Sequence, residues 1–319
     1  MKRRKLIRLG IGVASLLCLA LAGCQHYELE IVLEPDGSGT RTVLLDAGQQ
    51  VDERSDPPLA MYREFAGMSG ENGWQVITSP AGDDPPRTEF RKTVQAADQQ
   101  AWHDLSGDLA IRAGPAGTSH ADVRMINEIE VVDGRESGEP TLWYRETLHW
   151  IGFRETIIAF QADRYREAMA VGYPFLGECE LAELRGLMTG ALSHGWLDWL
   201  WEDDAEIQNR HLVAILADNA QRIVEPVLPD NRFVDRDGVM EIARDVVQDR
   251  DELAWQFVER VMPGLGLIAL TDMQVSIRMP GRILETNAHR VEGETAYGEF
   301  ELTEVLSGAV ELSVRSIRQ

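Results

Sequence analysis

Apolar and polar positions alternate near both ends of the chain, and this pattern predicts β-strands there. In residues 27–33, four apolar side chains fall on one side of an extended segment, and a second alternating run covers 40–45. A Pro-Asp-Gly-Ser-Gly segment at 35–39 lies between them, and such a turn between alternating runs predicts a β-hairpin. The same alternation predicts strands at 74–79, 88–94, 123–132, 141–150, 273–278, 282–285, 295–302 and 309–317.

The middle of the chain, from about residue 153 to 263, has the apolar spacing of helices instead. Helices are predicted at 155–171, 180–192, 205–227 and 237–262, with Asp237 as the cap of the last one. Two short helices, at 58–68 and 97–106, interrupt the first group of strands, and the polar segment 133–140 is predicted to be a loop.

The order of elements is therefore β-rich, helical and β-rich, which predicts an α+β fold. Because strands need neighbours on their edges and faces, we expect the N-terminal and C-terminal strands to form one antiparallel sheet with a central helical insertion. The predicted parts are an N-terminal β-rich part at 24–151, a helical insertion at 152–265 and C-terminal strands at 266–319.

The first 23 residues have the layout of a bacterial lipoprotein signal peptide. Five basic residues precede an apolar run from Leu9 to Ala22, which is shorter than the roughly 20 residues of a spanning helix. The run ends in Leu21-Ala22-Gly23-Cys24, so we predict cleavage between Gly23 and Cys24 and lipidation of the Cys24 thiol. The alternative is an uncleaved anchor that contains a small residue before a cysteine by chance.

A lipidated Cys24 would hold the chain on a membrane through its acyl chains, palmitate among them, facing the periplasm. Several acyl chains, at about 0.8 kcal/mol per buried CH₂, make release negligible. Gln25 follows the cysteine in place of the aspartate that retains many lipoproteins in the inner membrane, which favours the outer membrane where the host has one.

Charge excludes nucleic acid as an expected partner. The net charge is −22, and loss of the basic signal peptide moves it to about −27. Nucleic-acid binding depends on Lys and Arg that neutralise phosphates, so we expect a membrane attachment through lipid and a lipid or an envelope protein as the bound partner.

Few residues suggest chemistry. Ser193, in Ala-Leu-Ser-His-Gly, resembles a nucleophile elbow, but that motif needs a preceding strand, and the preceding residues here have a helical pattern. The seven histidines show no metal-site spacing, so no metal or cofactor is expected. After lipidation of Cys24, Cys179 has no disulfide partner in the chain and is expected to be a buried apolar residue, with a reactive thiol as the alternative.

Three tryptophans, Trp196, Trp199 and Trp201, stand within six residues and are followed by three acidic residues. They form either a ligand-binding or interface patch or a helix face that packs in the core. Core packing is the favoured interpretation, because most aromatic clusters are buried.

Two segments resemble a group of bacterial envelope lipoproteins, the LppM-like or DUF3153-like families. One is Asp36-Gly37-Ser38-Gly39, close behind the lipidation cysteine. The other is the late strand pair, with Pro280-Gly281, then Asn287, then Glu292-Gly293. The resemblance implies an envelope-facing, lipid-binding domain and supplies no catalytic residues.

The sequence therefore predicts a non-enzymatic, membrane-anchored envelope lipoprotein that binds a lipid or a partner protein. The alternatives are an envelope hydrolase with Ser193 as its nucleophile and a structural assembly factor.

Overall fold

A computed structural model describes most of the chain outside its first 25 residues. The described residues are 26–49, 59–78, 87–118, 122–201, 237–239, 241–242, 245, 262–267, 271–306 and 308–318. They fall into two compact units, one β-rich (26–151 and 262–318) and one helical (152–201 and 237–245).

The predicted first hairpin is confirmed. Strand β1 (His26–Leu33) pairs antiparallel with β2 (Gly39–Gln49) through a turn in which Asp36 accepts hydrogen bonds from the amide and hydroxyl of Ser38. Gly39 is required where the turn enters β2: a Cβ there would lie 2.1 Å from the Val32 carbonyl oxygen and 2.7 Å from the Trp102 ring. The inward face of β1, predicted from alternation, is at most 2% exposed.

Seven strands form the first sheet, in the order β10-β11-β8-β1-β2-β4-β3, among the described residues. The central pair β1 and β8 (Asp272–Arg278) is parallel, and every other pair is antiparallel. The remaining strands are β3 (Gln75–Thr78), β4 (Arg87–Ala96), β10 (Arg290–Glu292) and β11 (Thr295–Glu301).

Five strands form the second sheet, in the order β5-β6-β7-β12-β9, in the same part of the structure. They are β5 (Ile111–Arg112), β6 (Arg124–Glu136), β7 (Glu139–Ile151), β9 (Ile283–Thr286) and β12 (Val310–Ile317).

The predicted loop at 133–140 is wrong. The ladder between β6 and β7 continues to the pair Glu136 and Glu139, and only Ser137 and Gly138 form the turn. Both residues have positive φ, 53° and 90°, which matches the two-residue turn whose twist continues that of the strands.

The α+β class and the joining of N-terminal with C-terminal strands are confirmed. The strands form two sheets, however, and not the single sheet that we expected. β8 and β11 extend the first sheet, whereas β9 and β12 extend the second. The two inner faces meet in the core, where Arg41 of β2 contacts Glu146 of β7. Trp102, which lies outside both sheets, packs edge-on against Tyr144 of β7, with ring centroids 5.8 Å apart. Each sheet thus buries one face against the other.

Two short helices accompany the sheets. Helix α1 (Leu59–Ala66) buries Tyr62 and Phe65, and α2 (Gln99–Asp104) begins at Asp98, whose carboxylate accepts the amide of Ala101 at 2.8 Å. Short 3₁₀ helices lie at Gly70–Asn72, Pro263–Leu267 and Leu302–Leu306. The sequence pattern predicted both α-helices but none of the 3₁₀ helices.

The helical unit contains α3 (Phe153–Gly172) and α4 (Glu178–Trp201), which pack antiparallel. Hydrogen bonds along their length show this direction, because residues late in α3 meet residues early in α4 and the reverse. The donors and acceptors are Arg166 to Glu178, Arg185 to Asp163, and Arg154 to the Ser193 carbonyl. The predicted helix at 205–227 lies outside the described residues, and part of the one at 237–262 is described as helical. No helix in the described part of the chain is long and apolar enough to span a membrane.

Candidate functional site

A buried ion pair joins the two sheets. Arg41 and Glu146 have side chains 1% and 0% exposed, and a guanidinium nitrogen lies 2.7 Å from Glu146 Oε1. Each sits on the inward face of its strand, among apolar neighbours. Charges so completely withdrawn from water are stable only when paired and hydrogen-bonded.

The Glu146 carboxylate has three donors. Besides Arg41, the Asn127 amide donates to Oε1 at 2.9 Å and the Tyr144 hydroxyl donates to Oε2 at 2.6 Å. Asn127 in turn accepts the backbone amide of Leu109 at 3.0 Å. The network thereby fixes the start of the segment that leads from Asp108 into β5.

The electrostatics agree with this pairing. Burial lowers the pKa of the Arg41 guanidinium, but the Glu146 charge opposes it and the net pKa lies above the ordinary value. Burial raises the pKa of the Tyr144 hydroxyl well above its usual range, and the negative charge of Glu146 adds to that rise. Tyr144 therefore stays a neutral donor at every physiological pH.

Asp108 connects the buried pair to the surface. One of its oxygens lies 3.5 Å from Arg41, and the other accepts a hydrogen bond from Lys92. The Lys92 ammonium also lies 5.9 Å from the centroid of the Trp74 ring. Lys92 and Asp108, about 15% and 14% exposed, form the floor of an open cleft.

This cleft, which we call the basic cleft, has a volume of about 750 Å³. It lies within the β-rich unit, between α1, the 3₁₀ turn that follows it, β4 and the paired strands β5 and β6. Its lining residues are Arg63, Glu64, Phe65, Ala66, Gly67, Glu71, Asn72, Trp74, Lys92, Gly107, Asp108, Ala110, Arg112 and Arg124.

The structure places the predicted lipidation residues Gly23 and Cys24 outside its described part, so the lipid anchor stays a prediction. Trp196, Trp199 and Trp201 lie on the last turns of α4, with side chains outside the described part. Core packing of these tryptophans therefore stays a prediction, with a ligand or interface patch as its alternative.

Ser193 lies inside α4, where its hydroxyl donates to the Thr189 carbonyl at 2.7 Å. No strand precedes it, so the strained strand-to-helix turn of a nucleophile elbow is not formed there. Cys179 is exposed on the first turn of α4, which makes the expectation of a buried cysteine wrong. Within the described residues, no group of three His, Cys, Asp or Glu side chains could hold a metal ion.

Sequence reasoning missed the basic cleft and the network beneath it, although one signal was present. Arg41 has the same strand parity as the buried Val43 and Leu45, and Glu146 has that of the buried Tyr144 and Leu148. A charged residue on the core face of an alternating strand needs a partner, and one residue of each sign occupies such a position.

Comparison with known proteins gives one structural likeness. The chain is similar to the folded domain of the Mycobacterium tuberculosis LppM protein, determined by NMR, with a TM-score of 0.30 and 8% identity over 93% of this chain and 92% of that chain. This is a weak structural relation. No protein-family model matches the chain, and no curated protein matches it.

Proposed function

We propose that this protein is a membrane-anchored envelope lipoprotein whose β-rich unit binds a small ligand, such as a lipid headgroup, in the basic cleft. The observation that carries the proposal is the cleft itself: a concave, partly charged space of about 750 Å³, lined in part by strands of both sheets. Small-molecule sites are clefts of about 300–1,000 Å³ with a few fixed polar groups, whereas protein partners usually meet flatter surfaces.

Rigidity of the cleft floor supports binding. Lys92 and Asp108 are held by each other and by the buried pair of Arg41 and Glu146, so their positions are set before a ligand arrives. Groups that are already in place lose little conformational entropy on binding, which is the main advantage of a preorganised site. The aromatic ring of Trp74 beside Lys92 adds an apolar contact at one wall.

The proposed anchor would keep the cleft close to its ligand. Only Gln25 separates Cys24 from the first residue of β1, and an extended chain advances at most about 3.6 Å per residue. A lipidated Cys24 would therefore hold the β-rich unit against the membrane surface, where lipid headgroups are abundant.

The test is native mass spectrometry of the full chain extracted from membranes in an uncharged detergent. Ala110 is half-buried in the cleft wall, so Ala110→Trp should occupy the ligand volume. Ala116 is exposed and does not line the cleft, which makes Ala116→Trp the matched control.

We expect a discrete added mass on the wild-type chain and on Ala116→Trp, and its loss in Ala110→Trp. An added mass that survives in Ala110→Trp, or bare protein in all three samples, would contradict a ligand site in the basic cleft.

A further inference from the structure

We infer that the ligand of the basic cleft carries an anionic phosphate group, bound by Arg63, Arg112 and Arg124. This inference rests on the proposed function and adds the chemical class of the ligand. The three arginines come from three different elements, α1, β5 and β6, yet all of them line the same cleft.

The charged side chains of the cleft divide into an ion pair on the floor and five side chains on the rim, three basic and two acidic. On the floor, Lys92 and Asp108 form an ion pair with each other. The rim carries the three arginines and two carboxylates, Glu64 and Glu71. None of the three guanidinium groups makes an ion pair with a carboxylate in the described part of the chain. The cleft is lined by four basic and three acidic side chains, so it is locally positive in a protein of net charge −22.

Two of these arginines repel each other by their position. Arg112 and Arg124 are direct partners in the antiparallel ladder of β5 and β6, so their side chains leave the same face of the sheet. Like charges at directly opposed positions destabilise a sheet. A bound anion between the two guanidinium groups would turn this repulsion into attraction, whereas an uncharged ligand would leave it in place.

The backbone that carries Arg112 is held firmly. The amide of Gly264, in the 3₁₀ turn Pro263–Leu267, donates to the Ala113 carbonyl at 2.9 Å. A Cβ on Gly264 would lie 1.9 Å from the Arg112 carbonyl oxygen, so only glycine allows this close approach. The Arg112 side chain also donates to the Glu64 carbonyl. The planar guanidinium fork of Arg112, held in this way, suits the paired oxygens of a phosphate.

The experiment compares Arg124→Gln with Arg135→Gln. Both changes remove one positive charge from β6, but eleven residues, or about 36 Å of strand at about 3.3 Å per residue, separate the two positions. The full chain is kept in micelles of an uncharged, phosphate-free detergent and titrated calorimetrically with glycerol 3-phosphate, with glycerol as the uncharged control. Thermal unfolding is recorded without ligand.

We expect glycerol 3-phosphate, and not glycerol, to bind the wild-type chain and Arg135→Gln, and Arg124→Gln to weaken binding about ten- to a hundredfold. Without ligand, Arg124→Gln should raise the midpoint of thermal unfolding, because it removes the repulsion. A merely structural arginine would lower that midpoint. Unchanged binding in Arg124→Gln, or equal binding of glycerol, would overturn the inference.

Two further titrants distinguish the source of the phosphate. Stronger binding of dihexanoylphosphatidic acid than of glycerol 3-phosphate supports a lipid phosphate, and equal binding of inorganic phosphate supports a free one. The two proposals fail separately. An uncharged co-purifying ligand that Ala110→Trp displaces would refute the phosphate and leave the ligand site standing, whereas bare protein in all the samples of the mass-spectrometric test would refute the ligand site itself.

Discussion

Removal of the buried guanidinium of Arg41 tests the structural role of the charge network. In Arg41→Met, Glu146 keeps two donors, Asn127 and Tyr144, but loses the positive charge 2.7 Å away in a site where its side chain is 0% exposed. Breaking a buried pair by removing one partner destabilises by about 3–5 kcal/mol. Because two donors remain, we expect the free energy of unfolding to fall by about 3 kcal/mol, near the lower end of this range. At about 2–4 °C per kcal/mol, this loss lowers Tm by about 6–12 °C.

The assay is calorimetric and urea-induced unfolding of the full chain. Arg145→Met is the control, because Arg145 lies on the same strand as Glu146 but on the opposite face, 38% exposed and paired with Glu130. Exposed pairs contribute up to about 1 kcal/mol. The double variant with Arg41→Met and Glu146→Met should lose less free energy of unfolding than the sum of the two single variants, because no buried charge of the pair remains. An Arg41→Met loss no larger than that of Arg145→Met would refute the reasoning.

Three more predictions follow from single side chains. The Tyr27 hydroxyl is buried without a hydrogen-bond partner in the described part of the chain, so Tyr27→Phe should leave stability at pH 7 unchanged or raise it. Tyr144→Phe removes the hydrogen bond to Glu146 and should lower the free energy of unfolding by about 1.5–3 kcal/mol. Burial, and then the charge of a neighbouring tyrosine, raise the Tyr27 pKa above its unfolded value of 10.0. The unfolded chain therefore loses this proton first, and wild-type stability should fall above about pH 10. A pH series of urea midpoints should show a shallower fall for Tyr27→Phe. Gly39→Ala should lower the free energy of unfolding by about 1–3 kcal/mol or more, because the added methyl group overpacks its site. Gly70 has open space around it, so Gly70→Ala should lower that free energy little in the same urea-induced unfolding. Cys24→Ala should abolish incorporation of a palmitate analogue and release the chain from the membrane fraction. Persistence of the label would contradict the predicted anchor.

Most strands of this protein were predictable because they follow local rules. The alternation of β1 and the turn at 35–39 specify the first hairpin with no knowledge of the rest. The partner of β1 on its other side was not predictable, because β8 lies more than 230 residues away and pairs in parallel. The division of the late strands between two sheets depends on such long-range pairing, which alternation does not encode.

The candidate site was less accessible to sequence reasoning than the fold. Arg63, Arg112 and Arg124 are ordinary charged residues in the sequence, and only the packing of α1 beside the β5–β6 ladder brings them to one cleft. β5 has only two residues, too few for any periodic signal. The inward charges of Arg41 and Glu146 were visible in the alternation, but their pairing with each other required the two sheets to be placed face to face.

The most direct test of a ligand in the basic cleft is photocrosslinking in living cells. The full chain carries p-benzoylphenylalanine in place of Glu71 on the cleft rim, or in place of Glu299, which is exposed on β11 outside the cleft. After irradiation, intact masses of the purified proteins are compared. We predict a small-molecule adduct from position 71 that is absent from position 299. A protein-sized adduct at position 71, or no difference between the two positions, would contradict the account.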